Sequence, residues 1–441
     1  MIKLPEQVNK AICLLKNSGF EAYAVGAVRD CLLGKVPFDW DITTSARPEE
    51  TEKVFCGERI IETGIKHGTV TVIIDGMPLE ITTYRIDGDY TDHRHPQTVS
   101  FSDNLRDDLS RRDFTINTLC CNCDDKIIDA FGGKDDLNNK IIRCVGDPDT
   151  RFSEDALRIM RAVRFSAELG FTIEKSTSDS ILKNRRLLSD VSKERLQVEF
   201  TKLITGKYAT DVIRKYHAVI EVFIPELAPL AECEQHTKYH KYDVFEHTLH
   251  AVDAIDFTDR ILRLTMFFHD FGKPDAKTTD ENGTSHFKGH AVISEKKTRD
   301  ILKRLKFDNN TINEVSKLVL IHDMKSPRDK IQAKKMMCSL GDETYLNLIK
   351  IKRADNRAKA DPHAIDEKLK NMRSFYEEIK INNECYNLKS LAINGDDIKA
   401  FGIAEGKEIK SSLDFLLNGV IEGKCQNRKD ELLEYLKENT K

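Results

Sequence analysis

Asp39 and Asp41 stand one residue apart in Phe38-Asp39-Trp40-Asp41-Ile42-Thr43-Thr44, a pairing of residue type and spacing that can do chemistry. On a β-strand residues i and i+2 share a face, so both carboxylates would project together, with Phe38, Trp40 and Ile42 on the other side. Two anions held that close repel unless a cation lies between them. Carboxylate oxygens suit Mg²⁺, which also takes substrate phosphates into its shell. Just upstream, Val25-Gly26-Ala27-Val28-Arg29-Asp30 reads as a turn that can seat a triphosphate, with Gly26 and Arg29 as contacts, because small residues let backbone N–H groups approach phosphate. An isolated Asp-x-Asp is more often a loop or cap feature, so the weight rests on the residues around it.

The elements that must position this pair are concentrated in the first 146 residues. Thr69–Ile74 and Pro78–Arg85 are β-rich runs separated by Asp75-Gly76-Met77, which predicts a hairpin. One helix is expected before Gly19 and another from Pro48-Glu49-Glu50. From Asp147-Pro148 onward the periodicity turns helical, as in Phe152–Phe165, where apolar residues recur at spacings of three and four. The expected class is α+β: a small α/β head (1–146), an all-α connector (147–225), a histidine-rich helical segment (235–360) and a charged helical tail (361–441).

Composition sets outer bounds. With 441 residues the chain exceeds one ordinary core, and roughly 150 residues per domain asks for two to four. Its 69 basic and 73 acidic side chains leave a net charge of -4, which neither announces nor forbids nucleic-acid binding, since that needs a basic patch and not a basic total. No run approaches the roughly 18 apolar residues of a membrane span, and the first residues lack a signal-peptide core, so no membrane partner and a cytoplasmic location are expected. Eleven cysteines, an odd number, point to reduced thiols, and Cys120-Cys121-Asn122-Cys123 reads as part of a buried strand, without the second pair that a zinc site needs.

Further strings follow in order: Asp107-Asp108-Leu109-Ser110-Arg111-Arg112-Asp113-Phe114-Thr115-Ile116-Asn117, Asp129-Ala130-Phe131-Gly132-Gly133, Glu154-Asp155-Ala156-Leu157-Arg158 and Ser192-Lys193-Glu194-Arg195-Leu196. Together with the Asp pair they resemble the class II tRNA nucleotidyltransferase and bacterial poly(A) polymerase family over about the first 205 residues. The resemblance implies that Asp39 and Asp41 are catalytic and hold Mg²⁺ in a two-metal site, which lowers the pKa of an attacking 3′-hydroxyl and neutralises the α-phosphate and leaving pyrophosphate. Glu80 is equally a third carboxylate or a solvated strand residue. Arg111, Arg112 and Asp113 would contact triphosphate and sugar, and Asn117 and Arg161 complete the implied nucleotide-binding set. Asp155 and Arg158, three apart on an expected helix, share a face; a surface ion pair is the ordinary reading, whereas the resemblance makes them a protein template for the base. C and A each present an exocyclic amine beside a ring-nitrogen acceptor, and U and G reverse that pattern. An Asp that accepts and an Arg that donates would admit CTP and ATP and reject UTP and GTP. One departure is visible: where the family has two glycines, this chain has Val25-Gly26, so either the turn is tighter by a residue or Val25 stands where glycine is expected.

A second constellation comprises His247, His269-Asp270-Phe271-Gly272-Lys273, Gly289-His290, His322-Asp323 and Asp355. It resembles the HD phosphohydrolase superfamily over about residues 240–360. The resemblance implies that His247, His269, Asp270 and Asp355 bind a divalent metal whose identity the residues leave open, with His290, His322 and Lys273 as second-metal or phosphate contacts. Phosphatase or phosphodiesterase activity would follow. Lys193, Arg195, Lys202, Lys325, Arg328, Lys330, Lys334 and Lys335 are equally a phosphate track or solvated helix faces. The function expected from both resemblances is addition of C, C and A to tRNA 3′ ends from CTP and ATP; Tyr84–Pro96, similar to the loop of enzymes that add the terminal A, favours complete synthesis. The alternatives are a poly(A) polymerase, a partial CC- or A-adding enzyme, or an HD hydrolase with an inactive RNA-binding head. Oligomeric state is left open.

Overall fold

The computed structural model describes residues 2–37, 39–62, 64–65, 68–88, 98–237, 239–403 and 406–439. The chain divides into two compact units, Met1–Ala228 and Pro229–Lys441. The expected head and connector share the first, and the histidine-rich segment and tail share the second.

The first unit opens with α1 (Glu6–Asn17), whose Val8, Ala11, Ile12 and Leu15 recur at helical spacing and are buried. Then come β1 (Ala22–Val25), α2 (Ala27–Leu32), β2 (Asp41–Thr44), α3 (Pro48–Val54), β3 (Arg59–Ile61), β4 (Thr69–Ile74) and β5 (Met77–Thr83). α3 starts where expected, with Pro48 at its first position and the Glu50 carboxylate accepting from the Arg47 N–H at 2.7 Å. β4 and β5 form the expected hairpin, closed by Asp75 and Gly76 at φ 48° and 81°, the two positive values of a type I′ turn. β6 (Arg85–Asp87) pairs with β7 (Val99–Phe101); residues 89–97, most of the loop singled out above, lie outside the described residues.

α4 (Leu105–Ser110), β8 (Cys120–Cys121), β9 (Ile127–Ile128) and α5 (Gly133–Asn138) complete the head. The sheet runs β3-β4-β5-β2-β1-β8-β9, with β2 and β5 parallel at its centre and the other neighbours antiparallel. Cys120 and Cys121 are fully buried in β8, as the strand reading required, and all eleven cysteines are free.

β10 (Ile141–Ile142) pairs in parallel with β11 (Thr172–Ile173), and between them lie α6 (Pro148–Glu154) and α7 (Leu157–Leu169). The expected continuous helix over 152–165 is therefore two. α6 ends at Glu154, and Asp155 takes extended dihedrals of φ -133° and ψ 101°. Phe152, Ala156, Ile159, Met160 and Val163 are buried on both sides of the break, so apolar periodicity alone does not register it. α9 (Lys193–Ile204) and α10 (Ala209–Ile220) pack on α7, α9 tied to it by the buried Arg164–Glu199 ion pair at 2.6 Å, and α8 (Lys175–Asn184) packs on α6 and α10. The short α11 (Ala228–Ala231) lies where the units divide.

The second unit is helical: α12 (Val244–Asp253), α13 (Arg260–Phe268), α14 (Lys273–Ala276), α15 (His290–Arg304), α16 (Asn309–Ile321), α17 (Lys330–Leu340), α18 (Asp342–Arg357) and α19 (Asp366–Ile381). α12 packs on α13 and α18, α13 on α16, and α16 on α15. The tail adds α20 (Gly395–Ala400), α21 (Lys407–Ile421) and α22 (Lys429–Asn439) around their own core of Ile398, Leu416, Ile421, Leu432 and Leu436. Among the described residues no helix is long and apolar enough to cross a membrane.

Candidate functional sites in the two units

Asp41 opens β2, with Val25 of β1 on one side and Glu80 of β5 on the other, both in direct register. Asp39 lies just ahead of the strand and not on it, exposed, while Trp40 and Ile42 are buried, so the inside–outside alternation holds although the strand is shorter than expected. Burial and then the Glu80 charge push the Asp41 carboxyl up to about 6, with Asp39 adding to the rise and Arg112 opposing it. From the sequence Glu80 is equally a third carboxylate or a solvated strand residue; the parallel register sets it beside Asp41. Asp39, Asp41 and Glu80 do not form a tight three-ligand set. Among the described residues the groups of three drawn within 4.8 Å are two His–Asp sets in the other unit. Like charges on adjacent positions spread apart.

Gly26 resolves the glycine question. Val25 is the last residue of β1 and is buried with Leu109 and Cys120, so it stands where the family has glycine without tightening the turn. The bend is made by Gly26 at φ 72°, where a Cβ would sit 3.3 Å from the Asp41 Oδ2. Gly26→Ala should therefore lower the unfolding free energy by about 1–2 kcal/mol, the order of a left-handed non-glycine residue. It should also displace the Asp41 carboxylate, read as weaker Mn²⁺ binding; unchanged urea midpoint and affinity would contradict this account of the turn.

The arginines divide into two roles. Arg111 donates through Nε and Nη2 to Asp108 at 2.9 and 2.7 Å, and Asp108 also accepts from Thr43 on β2, so Arg111 is held in place by a buried acid. The Nε of Arg112 is buried with no hydrogen-bond partner, a donor left over beside Asp41. Arg29 donates to Asn117 at 2.6 Å, Asn117 to Asp113 at 2.8 Å, and Arg161 to Asp113 at 2.7 Å, which joins four of the expected residues into one chain. Burial works to raise the Asp113 carboxyl, but the Arg161 guanidinium and the Asn117 amide outweigh it and hold it well below the usual range.

Asp155 and Arg158 do not share a helix face, because the break places Asp155 before α7. They make no side-chain pair with each other. Arg195 of α9 donates to Asp155 at 2.9 Å, whereas Arg158 donates to Glu154 at 2.7 Å and to the Arg111 carbonyl at 2.7 Å. Both are held by a second residue to which sequence reasoning assigns no such part: there Arg195 stands equally between a phosphate track and a solvated helix face, and Glu154 has no role of its own. Lys330 and Lys334 pair with Glu384, and Lys335 with Glu422, so these three do not form an open track.

In the second unit the His–Asp residues converge. The His247 Nε2 lies 3.3 Å from the His269 Nε2, 3.0 Å from the Asp355 Oδ1 and 3.3 Å from the Asp270 Oδ2. The His290 and His322 Nε2 atoms are 3.1 Å apart and face the Asp270 Oδ1 at 3.4 and 3.8 Å. Lys273 reaches the Asp270 Oδ2 at 2.7 Å and donates to Gln235. Gly272 allows this: a Cβ there would lie 2.5 Å from the His290 carbonyl oxygen, so only glycine lets the 269–273 turn press on the start of α15. Burial works against a low Asp270 pKa, yet His269 and Lys273 hold it well below the usual range; burial and then His269 push the His322 ring down to about 3.

Residues 22–143 match the Poly A polymerase head domain, 170–230 the RNA and SrmB-binding site of polymerase A, and 278–436 the tRNA nucleotidyltransferase domain 2. The chain is 32% identical to the CCA-adding enzyme of Geobacillus kaustophilus over 442 residues, covering 99% of this chain and 97% of that one. To the CCA-adding enzyme of Bacillus subtilis it is 33% identical, covering 96% of each. The crystal structure of the Bacillus stearothermophilus CCA-adding enzyme in complex with CTP superposes with a TM-score of 0.71 at 30% identity, over 98% of this chain and 96% of that one. With near-complete coverage of full-length relatives and a head whose motifs fall where the fold needs them, this chain belongs to the CCA-adding enzymes, tRNA nucleotidyltransferases.

Proposed function

We propose that the first unit adds C, C and A to tRNA 3′ ends from CTP and ATP, in the cytoplasm, with Mg²⁺ as its ion. Enzymes of this family use a divalent metal. The residues present fit one: two carboxylates one residue apart, one of them buried beside Glu80 and pushed up to about 6, need a counter-charge. Asp39 and Asp41 would hold it, and when bound it supplies charge neutralisation at the α-phosphate and a more acidic 3′-hydroxyl. The remaining work falls to side chains. The unpartnered Arg112 Nε is available to a phosphate oxygen, and the Arg29–Asn117–Asp113–Arg161 chain fixes the donors around the sugar.

The observation that carries the reading is the separate anchoring of Asp155 and Arg158. Each is oriented by a neighbour, Arg195 or Glu154, and not spent on the other, so both can turn polar atoms to a base edge. The test uses tRNA ending before the first C, after CC, or complete, each with one labelled nucleotide at a time. CTP should extend the first, ATP the second, and neither the third; repeated A on unrelated RNA would instead identify a poly(A) polymerase.

The buried His–Asp core supports a second reading for the other unit, a metal-dependent phosphohydrolase. His247, His269, Asp270 and Asp355 would hold the ion, which supplies an activated water when bound. Opening of a 2′,3′-cyclic nucleotide to its 2′- or 3′-monophosphate should persist in Asp41→Ala and vanish in His269→Ala. Loss in both variants would remove the two-site account.

A further inference from the structure

In α7 Arg158, Arg161 and Phe165 recur at spacings of three and four, so the base-reading arginine, an arginine of the sugar chain and an aromatic ring share one stripe of the helix. Phe165 is buried, and on apolar periodicity alone it would be a core residue. Its surroundings are not those of a core ring. Three guanidinium groups gather at it: Arg164 at 3.7 Å from the ring centre, Arg29 of α2 at 4.7 Å and Arg161 at 5.4 Å. Phe114, which follows Asp113 in the chain, meets the same ring at right angles, with ring centres 5.9 Å apart.

The three cations find their carboxylates and amide along their edges. Arg29 donates to Asp30 and Asn117, Arg161 to Asp113, and Arg164 to Glu168 and Glu199. Guanidinium N–H bonds lie in the plane of the group, so these partners leave its flat faces uncovered. They also leave three like charges drawn together around one side chain. An aromatic ring turns a negative face to such cations, and the attraction grows where water is excluded. An aliphatic side chain of the same bulk would fill the space and offset none of the repulsion.

We propose that Phe165 is a positioning residue for nucleotide binding: its π face holds the Arg29 and Arg161 guanidiniums at the two ends of the Arg29–Asn117–Asp113–Arg161 chain. Arg29 lies in the helix that starts at the Gly26 bend, and Arg161 lies about one turn beyond Arg158. The ring thus ties the turn expected to seat the triphosphate to the helix that reads the base. It acts through the two arginines and not on the substrate itself. The inference rests on reading that chain as what holds the sugar.

The test replaces Phe165 in the full-length chain by phenylalanines that carry one, two and three ring fluorines. Fluorine nearly keeps the shape of the ring and withdraws charge from its face, so packing stays constant while the attraction for cations falls. KM for CTP and for ATP should rise together, step by step with fluorine count, by about tenfold at three, with kcat and the preference for CTP over UTP unchanged. Phe165→Leu should raise KM at least as far. Arg161→Lys, which loses the planar fork, should raise it by about tenfold or more. Unchanged KM across the fluorinated series, with Arg161→Lys impaired, overturns the role of the ring and keeps the sugar reading. Unchanged KM in Arg161→Lys overturns that reading and the proposal with it. A KM that rises as much with one fluorine as with three, or a thermal midpoint that falls in step with the rise, reduces Phe165 to packing and also overturns the proposal. If Phe165→Leu does not fold, the fluorinated series still decides.

Discussion

Asp41→Asn should abolish nucleotide addition and at the same time make the metal-free protein harder to unfold. The catalytic half follows from the chemistry: removing one carboxylate from a charge-neutralising pair takes away several kcal/mol of transition-state stabilisation, so a loss of at least about 10³-fold in kcat is expected. The stability half follows from linkage. The folded Asp41 carboxyl is raised to about 6 from an ordinary 3.8 by burial and by Glu80, so it holds its proton more tightly when folded. Its ionisation therefore weakens the folded state progressively as pH rises from about 4, and the penalty is complete above about 6. An amide escapes that penalty. In EDTA at pH 7.5 the variant should gain roughly 1–3 kcal/mol, a few degrees in Tm, and the gain should vanish near pH 4. A variant that loses activity and stability together would mean that Asp41 serves the fold, and the metal account would fail.

The second large effect is expected at the base-reading pair. Asp155→Asn replaces an acceptor with an amide that can also donate, so UTP, whose pattern is the reverse of CTP, should no longer be excluded. Discrimination by a site built to hydrogen-bond its substrate reaches about 10⁴, and most of it should disappear. Arg158→Ala should act differently. It removes the donor to the ring nitrogen and leaves the Arg111 carbonyl without its guanidinium donor, while the Glu154 carboxylate keeps only Arg151, so kcat/KM for CTP and ATP should both fall by at least about 10². Arg195→Ala separates reading from positioning, since it leaves both reading groups and removes the side-chain donor that orients Asp155, whose Oδ1 keeps only the Leu157 N–H. Its discrimination should drop by about tenfold, and Arg195→Lys should restore part of it; full retention of CTP over UTP in Asp155→Asn would place base selection elsewhere.

How much of this was legible beforehand differs from residue to residue. The β4–β5 hairpin was readable because Asp75-Gly76 is a local signal for a type I′ turn. The His–Asp residues were also readable, since side chains of that chemistry have few other reasons to recur on buried helices. The break at Asp155 was not, because apolar periodicity continues across it and only backbone dihedrals register the interruption. The partnership of Arg195 with Asp155 spans 40 residues and depends on α9 packing against α7. Nothing local to Arg195 distinguishes it from Lys202 on the same helix, which is exposed. The role of Val25 likewise turned on register, since only its pairing with Asp41 shows that the strand ends there and that Gly26 alone makes the bend.

The central claim is that protein side chains, and no nucleic-acid template, read the amine of the incoming base. The most direct measurement is kcat/KM for CTP, UTP and the triphosphate of 2-pyrimidinone riboside, which is CTP without its exocyclic amine, on tRNA lacking its 3′ end. Asp155 as the acceptor predicts that the analogue is used at least about 10²-fold less well than CTP and that Asp155→Ala narrows the difference to within about tenfold. An analogue incorporated as efficiently as CTP by the unmodified enzyme would contradict it.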